Sequence, residues 1–110
     1  MEATTTMEVE SIQVSPKPPP PLSISQRMLI LKALGDSRRL EIMERLSASE
    51  TAVACSELRE MLPICAATLS HHLKELETAG LIRSERDGKF AMLTLRRDVW
   101  QTFLTAMQQL

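Results

Sequence analysis

SELREMLPICAATLSHHLKELETAGL is the stretch at residues 56–81, and it decides the fold of this chain. Two short amphipathic segments lie on either side of Pro63, and the second of them ends at Gly80. A first helix that supports a second one across a tight turn is a helix-turn-helix, whose second helix can enter the major groove of DNA. The stretch therefore predicts a helix-turn-helix.

The second of these segments has two opposite faces. At about 100° per residue, its apolar residues share one stripe, at Ala66, Leu69, Leu73 and Leu76. The opposite stripe carries small, polar or cationic side chains, at Ala67, His71, Lys74 and Thr78. A surface that enters a DNA groove needs such side chains, but the solvated face of an ordinary bundle helix resembles it. This helix alone leaves both interpretations open.

After Gly80 the pattern changes from helical spacing to alternation. Residues 81–86 and 89–95 alternate on either side of Asp87-Gly88, a dipeptide typical of hairpin turns of type I′. Five cations crowd this region against two acids, and they are Arg83, Arg86, Lys89, Arg96 and Arg97. A basic hairpin directly behind a helix-turn-helix is a wing suited to DNA phosphates, so the two features together predict DNA binding.

The first and last helices of the pattern carry broad apolar faces. Residues 23–35 place Met28 and Leu31 on one stripe, and a last helix capped by Asp98 contains the only Trp of the chain. Together they predict a dimer interface, which comprises Met28, Leu31, Trp100, Phe103, Leu104 and Met107. The alternative is that the last helix packs on its own domain.

Between these helices the sequence predicts a second helix that begins at Asp36 or Ser37. The residues of this helix that are predicted to face the core are Leu40, Ile42, Met43 and Leu46. Its charged residues are predicted to face solvent, with Arg39 among them and with Glu41 paired to Arg45. Residues 47–54 are predicted to form a loop, and Ser56 to cap the third helix.

Composition limits the class of protein. The 110 residues include two Phe, one Trp and no Tyr, which is enough for a small helical core but thin for a substrate cavity. Residues 1–22 contain the run PKPPPP and are predicted to be a disordered tail, which leaves residues 23–110 as one domain. No signal peptide, membrane span or disulfide framework is visible, and we expect a cytoplasmic protein without a membrane partner.

The order of these elements resembles the ArsR/SmtB family of bacterial winged-helix repressors. The resemblance covers about residues 25–110, and its most specific motifs are LKALGDSRRLEIMERL, SELREML, ATLSHHLKELETAGLI and RSERDGKFAMLTL. It implies a mainly helical winged helix-turn-helix with a small β-hairpin, homodimeric through its N- and C-terminal helices. It also implies binding to a palindromic double-stranded DNA operator and release by an inducer.

Carried over position by position, the resemblance implies a set of DNA contacts. Thr68, Ser70 and His71 are expected to approach base edges or adjacent phosphates, and Lys74 to hold the backbone. The cations expected along the neighbouring minor groove are Arg83, Arg86 and Lys89. His72 lies nearer the apolar stripe than His71 does, so we expect it to form a hydrogen bond within the protein.

The family's usual metal sites are not matched. Members that bind arsenite or cadmium use a Cys-x-Cys pair, and those positions are Ala54 and Ser56 here. Members that bind zinc on the last helix use His, which that helix lacks, so we expect no metal and no cofactor. Cys65, at the start of the second helix of the motif, is either a thiol switch or an inert small residue. Cys55 is the other candidate thiol, and As(III) binding through non-standard cysteines stays open.

Two other functions compete with DNA binding. An enzyme would have to use Cys65 with His71 and His72, but their helix offers no orienting acid, so no catalytic residue is assigned. A winged helix that binds protein instead of DNA is compatible with the net charge of −1. The basic wing distinguishes these functions, because it favours DNA.

Overall fold

A computed structural model describes residues 20–110 as five helices and a three-stranded antiparallel sheet. The elements in chain order are α1 (Ile24–Ala33), α2 (Ser37–Ala48), β1 (Val53–Ala54), α3 (Cys55–Met61), α4 (Ala66–Thr78), β2 (Ile82–Asp87), β3 (Phe90–Leu95) and α5 (Arg97–Gln108). The predicted winged helix-turn-helix is confirmed, with α3 and α4 as the motif and β2–β3 as the wing. Most of the predicted tail lies outside the described residues. Leu22, at its end, packs against the core.

The sheet has the strand order β1-β3-β2. β2 pairs with β3 from Ile82↔Leu95 to Asp87↔Phe90, and Val53 of β1 pairs with Leu93. The predicted loop at residues 47–54 is wrong at both ends, because α2 extends through Ala48 and β1 occupies Val53–Ala54. A strand of two residues has no periodicity to detect, and it forms because β3 offers a free edge.

The turn of the wing lies one residue later than the sequence predicts. Asp87 and Phe90 are the last paired residues, so Gly88 and Lys89 form the turn in place of Asp87-Gly88. Gly88 has a φ of +66°, while Lys89 has no positive φ. Positive φ at the first central residue alone fits a type II′ turn and not the predicted type I′.

Three helix ends follow local sequence signals. Ser23 and Gln26 form a reciprocal capping box at the start of α1. Asp36 caps α2, as predicted, by accepting backbone N–H groups through Oδ1. Gly80, with a φ of +81°, ends α4, and the N–H of Leu81 donates to the carbonyl oxygen of Leu76. The end of α4 is therefore fixed, which defines how far its exposed face extends.

Two predicted caps are wrong. α3 begins at Cys55, before the predicted cap Ser56, and the Glu57 carboxylate accepts the N–H of Ala54. α5 begins at Arg97, so Asp98 lies within its first turn and is not the cap. In both places the helix begins within two residues of the end of a strand, and the residue before the helix, Ala54 or Arg96, caps it with no side-chain hydrogen bond.

The core joins all five helices to the sheet. Its fully buried large side chains are Ile30, Ile42, Met43, Leu58, Leu69, Leu76, Leu81 and Leu93. Leu40 and Ala66 were predicted to face the core, but both are exposed. No helix within residues 20–110 has both the length and the hydropathy that spanning a membrane requires.

Candidate nucleic-acid interface

The outer face of α4 is open to solvent and polar. The four residues that were predicted to contact DNA from this helix are all exposed, namely Thr68, Ser70, His71 and Lys74. The opposite face contributes Leu69 and Leu76, which are 1% and 0% exposed, to the core. The two faces predicted from periodicity are therefore present, and α4 presents its polar face outward on a rigid apolar support.

His72 lies on the inner side of α4, as predicted. Its side chain is buried, and its Nδ1 is 3.2 Å from Nη1 of Arg39 on α2. The prediction that Arg39 faces solvent is wrong, because Arg39 also donates through Nε to the carbonyl oxygen of Ala33. Glu41 accepts from Arg38 at 2.7 Å, in place of the predicted pair with Arg45.

The two faces of the wing differ in charge. Because side chains alternate along a strand, Arg86 shares the face of Ile82, the buried face that packs on the helices. Arg83 lies on the opposite face, with Glu85 and Asp87. The outer face of β2 is therefore net acidic, because Glu85 and Asp87 share it with Arg83. The predicted excess of cations does not extend to this face.

The cations of the wing are concentrated at its tip. Arg86 donates to the carbonyl oxygen of Lys89 at 3.3 Å, and both residues are exposed. The Lys89 ammonium lies 5.8 Å from the centroid of the Phe90 ring, which is half exposed. Sequence reasoning missed Phe90 because the alternation there gave no reason to place an aromatic residue in solvent.

Arg96 and Arg97 do not belong to this basic tip, contrary to the prediction. Arg97 donates to the carbonyl oxygens of Leu46 and Ser47, in the last turn of α2, and of Ser49, directly after it. Arg96 forms an ion pair with Asp98 at 3.5 Å. Both cations thus contact groups around the start of α5 and the end of α2, so the cations left at the tip of the wing are Arg86 and Lys89.

Cys65 is the residue before the first turn of α4, and it is exposed. Its Sγ lies 3.2 Å from Oγ1 of Thr68. The hydrogen bond from the Thr68 side chain, and further N–H groups of the first turn, lower the pKa of the Cys65 thiol below its ordinary value. Cys65 therefore carries more thiolate at neutral pH than an unperturbed cysteine.

We expect this thiolate to be visible in alkylation kinetics. In a Cys55→Ser protein, the rate of Cys65 alkylation by iodoacetamide should rise with pH, because the thiolate is the nucleophile. The pH at the midpoint of this rise should be lower than for an ordinary cysteine, since the pKa of Cys65 is lowered. Thr68→Val removes the hydroxyl and should move the midpoint to higher pH. Rates between about pH 6 and pH 10 measure both values. If the midpoint pH is the same with and without Thr68→Val, the Thr68 hydroxyl does not lower the pKa of the Cys65 thiol.

The described residues contain no cluster that could bind a metal ion. Within residues 20–110, no three side chains of His, Cys, Asp or Glu are grouped at coordinating distance. Cys55 is half-buried at the start of α3, and both cysteines are free. Within residues 20–110, neither thiol is therefore part of a group that could chelate a metal ion in one chain.

The predicted dimer residues divide into two groups. Met28 and Leu31 of α1 are 51% and 43% exposed, and Ile24 beside them is 70% exposed. Trp100, Leu104 and Met107 of α5 are only partly buried. Phe103 was predicted to lie in the interface, but it is buried in the core of its own chain. The free apolar surface therefore lies mainly on α1.

The sequence is similar to known transcriptional regulators. Residues 34–85 match the family described as a helix-turn-helix domain. YceK of Bacillus subtilis (strain 168), an uncharacterized HTH-type transcriptional regulator, is 38% identical over 78 residues, which cover 71% of this chain and 78% of YceK. The arsenical resistance operon repressor of Staphylococcus aureus is 42% identical over 67 residues, which cover 61% of this chain and 62% of the repressor.

The fold is similar to that of a solved homodimer. The homodimeric winged helix-turn-helix DNA-binding domain of Mb0332 from Mycobacterium bovis, a possible ArsR-family transcriptional regulator, superposes with a TM-score of 0.64. The two sequences are 25% identical, and the match covers 76% of this chain and 77% of that chain.

Proposed function

Because this chain belongs to the ArsR/SmtB family of winged helix-turn-helix transcriptional regulators, we propose that it represses transcription by binding an operator as a homodimer. The family consists of regulators and not of enzymes. The observation that carries the proposal is the outer face of α4, which is polar, exposed and rigidly supported. A helix of this kind beside a wing is the arrangement that reads a major groove.

The contacts on α4 fall into two classes. Thr68, Ser70 and His71 can both donate and accept hydrogen bonds, which suits contacts with base edges. Lys74 is a point charge without an acceptor, which suits a phosphate. The helix thus combines a reading surface with a backbone contact, and two copies in a symmetric dimer would read two half-sites.

Homodimerisation is supported by the apolar surface of α1. Ile24, Met28 and Leu31 expose large side chains in the single chain, and burying them removes apolar area from water. Trp100, Leu104 and Met107 of α5 are partly buried in the single chain and are the other apolar residues proposed for the interface. The homodimeric similar structure supports the same assembly.

The decisive experiment is selection of DNA by the intact protein from a random-sequence duplex pool. We expect the enriched sequence, here called the selected duplex, to be an imperfect palindrome with half-sites about one helical turn apart. Affinity for it should fall steeply as salt is raised, since phosphate contacts release counterions. Failure to enrich any sequence would overturn the proposal and favour a protein partner for the same fold.

The wing provides a prediction of its own. Arg86→Ala and Lys89→Ala should each weaken binding to the selected duplex by about tenfold, because each removes a cation from both wings of a dimer. Arg83→Ala removes the same charge from the acidic outer face and should change affinity by less than about threefold. Fluorescence anisotropy at constant salt measures all three. A larger effect of Arg83→Ala would place the outer face against DNA.

Release of DNA is proposed to proceed through Cys65. The Cys65 thiol lies at the N-terminus of α4, beside Thr68, so a bulky or charged adduct would disturb the first turn of the reading helix. Gel shifts of the selected duplex with and without diamide, arsenite and zinc test this. Release by the thiol reagents that Cys65→Ser abolishes supports the proposal, and indifference to every additive contradicts it.

A further inference from the structure

His72 is the one polar residue that is buried within the described part of the chain. It is 7% exposed, and it lies on α4 between the buried Leu69 and Leu76. A buried imidazole that lacks hydrogen bonds is costly, whereas leucines can repack in many orientations. A hydrogen bond to His72 can therefore specify the orientation of α4 more sharply than the packing of its leucines can.

Arg39 connects His72 to a second helix. Its Nη1 lies 3.2 Å from Nδ1 of His72, and its Nε donates at 2.6 Å to the carbonyl oxygen of Ala33, the last residue of α1. A guanidinium can only donate, so Nδ1 accepts and the ring is a neutral tautomer with hydrogen on Nε2. One side chain of α2 thus joins the end of α1 to the middle of α4.

Asp36 faces the other nitrogen of the ring. Its Oδ1 lies 3.9 Å from Nε2 of His72 and accepts the backbone N–H groups of Arg38 and Arg39. These N–H donors, with that of Arg39 as the strongest, lower the pKa of Asp36, so the carboxylate is charged at neutral pH. The imidazole therefore accepts a hydrogen bond from the Arg39 guanidinium and lies 3.9 Å from the Asp36 carboxylate, and both groups come from the start of α2.

We propose that Arg39 is a positioning residue for DNA recognition, which fixes the rotation of α4 relative to α1 by its hydrogen bonds to His72 and Ala33. The role rests on the proposed function, because α4 is the reading helix and α1 carries the dimer surface. Apolar packing is non-directional, while a hydrogen bond is directional. Since successive residues of a helix are about 100° apart, a small rotation moves the base-reading side chains Ser70 and His71 away from their targets, while the long Lys74 side chain can still reach a phosphate.

The expected defect is a loss of discrimination and not of folding. His72→Leu keeps the apolar packing of Leu69 and Leu76, so α4 should stay in place but lose its fixed rotation. Base reading requires that rotation, whereas contacts with phosphates carry no sequence information. Affinity for the selected duplex should fall by about tenfold, and affinity for a scrambled duplex should stay within about threefold.

Four variants of the full chain test the role. His72→Leu removes the acceptor of the hydrogen bond from Arg39, and Arg39→Met removes the donors to His72 and Ala33. His72→Gln retains an amide oxygen for Arg39 and an NH2 group toward Asp36, so it should restore discrimination. Arg38→Met is the matched control, because Arg38 is the neighbouring arginine but pairs with Glu41. The readouts are the ratio of affinities for the selected and scrambled duplexes, and amide exchange in residues 66–78.

Reduced ratios and faster exchange in His72→Leu and Arg39→Met, with wild-type values in the other two, support the positioning role. Equal losses for both duplexes in His72→Leu would indicate mere destabilisation and overturn it. A wild-type ratio in His72→Leu would overturn it too, while the proposed function stands. A wild-type protein that does not prefer the selected duplex would overturn the proposed function, and this role with it.

Discussion

Lys74→Glu will lower the affinity for the selected duplex by about 100-fold. Lys74 is exposed on the polar face of α4, where a dimer would place two copies against phosphates. Reversal of each charge replaces an attraction by a repulsion, at a cost of about 1.4 kcal/mol per subunit, or a factor of ten. The slope of log affinity against log salt should also become shallower by about 2, since each lost phosphate contact contributes about 0.9. Anisotropy titrations at several salt concentrations measure both quantities.

Arg45→Glu is the matched control for this experiment. Arg45 is exposed on α2, outside the outer face of α4, and its reversal changes the net charge by the same amount. Its effect on affinity should be less than about threefold, because a distant surface charge is screened by salt. Comparable losses in the two variants would mean that net charge governs binding and that α4 makes no phosphate contact through Lys74.

Leu31→Glu will convert the protein to a monomer at micromolar concentration. Leu31 is 43% exposed on α1, so the substitution should leave the isolated chain folded. In a symmetric dimer it would bury two carboxylates in an apolar interface, where unpaired charges are strongly disfavoured. Because two linked half-sites act at high effective concentration, affinity for the selected duplex should fall by about 100-fold or more. Sedimentation velocity and anisotropy measure the two effects.

Leu40→Glu separates the interface from general surface hydrophobicity. Leu40 is 46% exposed, close to the value for Leu31, but it lies on α2 and outside the proposed interface. We expect Leu40→Glu to remain dimeric and to bind with unchanged affinity. A dimeric Leu31→Glu protein, or a monomeric Leu40→Glu protein, would show that the subunits associate through a different surface.

Much of the candidate interface could be predicted from the sequence because its signals are local. The polar stripe of α4 follows from spacing within four turns, and the end at Gly80 follows from a single residue that adopts a positive φ. The position of the wing turn was missed by one residue. Asp-Gly and Gly-Lys both suit tight turns, and the pairing of β2 with β3 chooses between them.

The assignments that failed concern side chains that reach across the fold. Arg39 was predicted to be solvated because its helix position is polar, yet its partner His72 is 33 residues away. Arg97 was placed with the wing cations, but it donates to the end of α2, up to 51 residues away in sequence. Periodicity carries no information on such separations, since it records only which face of one element a residue occupies.

The sequence by itself determined the helix-turn-helix, the wing and the polar face that the reading helix exposes, because each depends on hydrogen bonds and side-chain spacing within one element or one hairpin. Only the tertiary structure decided which cations remain free for phosphates, which apolar residues remain free for a partner, and what holds the reading helix in place. Those outcomes depend on packing between elements. Arg96 pairs with Asp98, Arg97 donates to the end of α2, Phe103 is buried in the core, and Arg39 donates a hydrogen bond to His72.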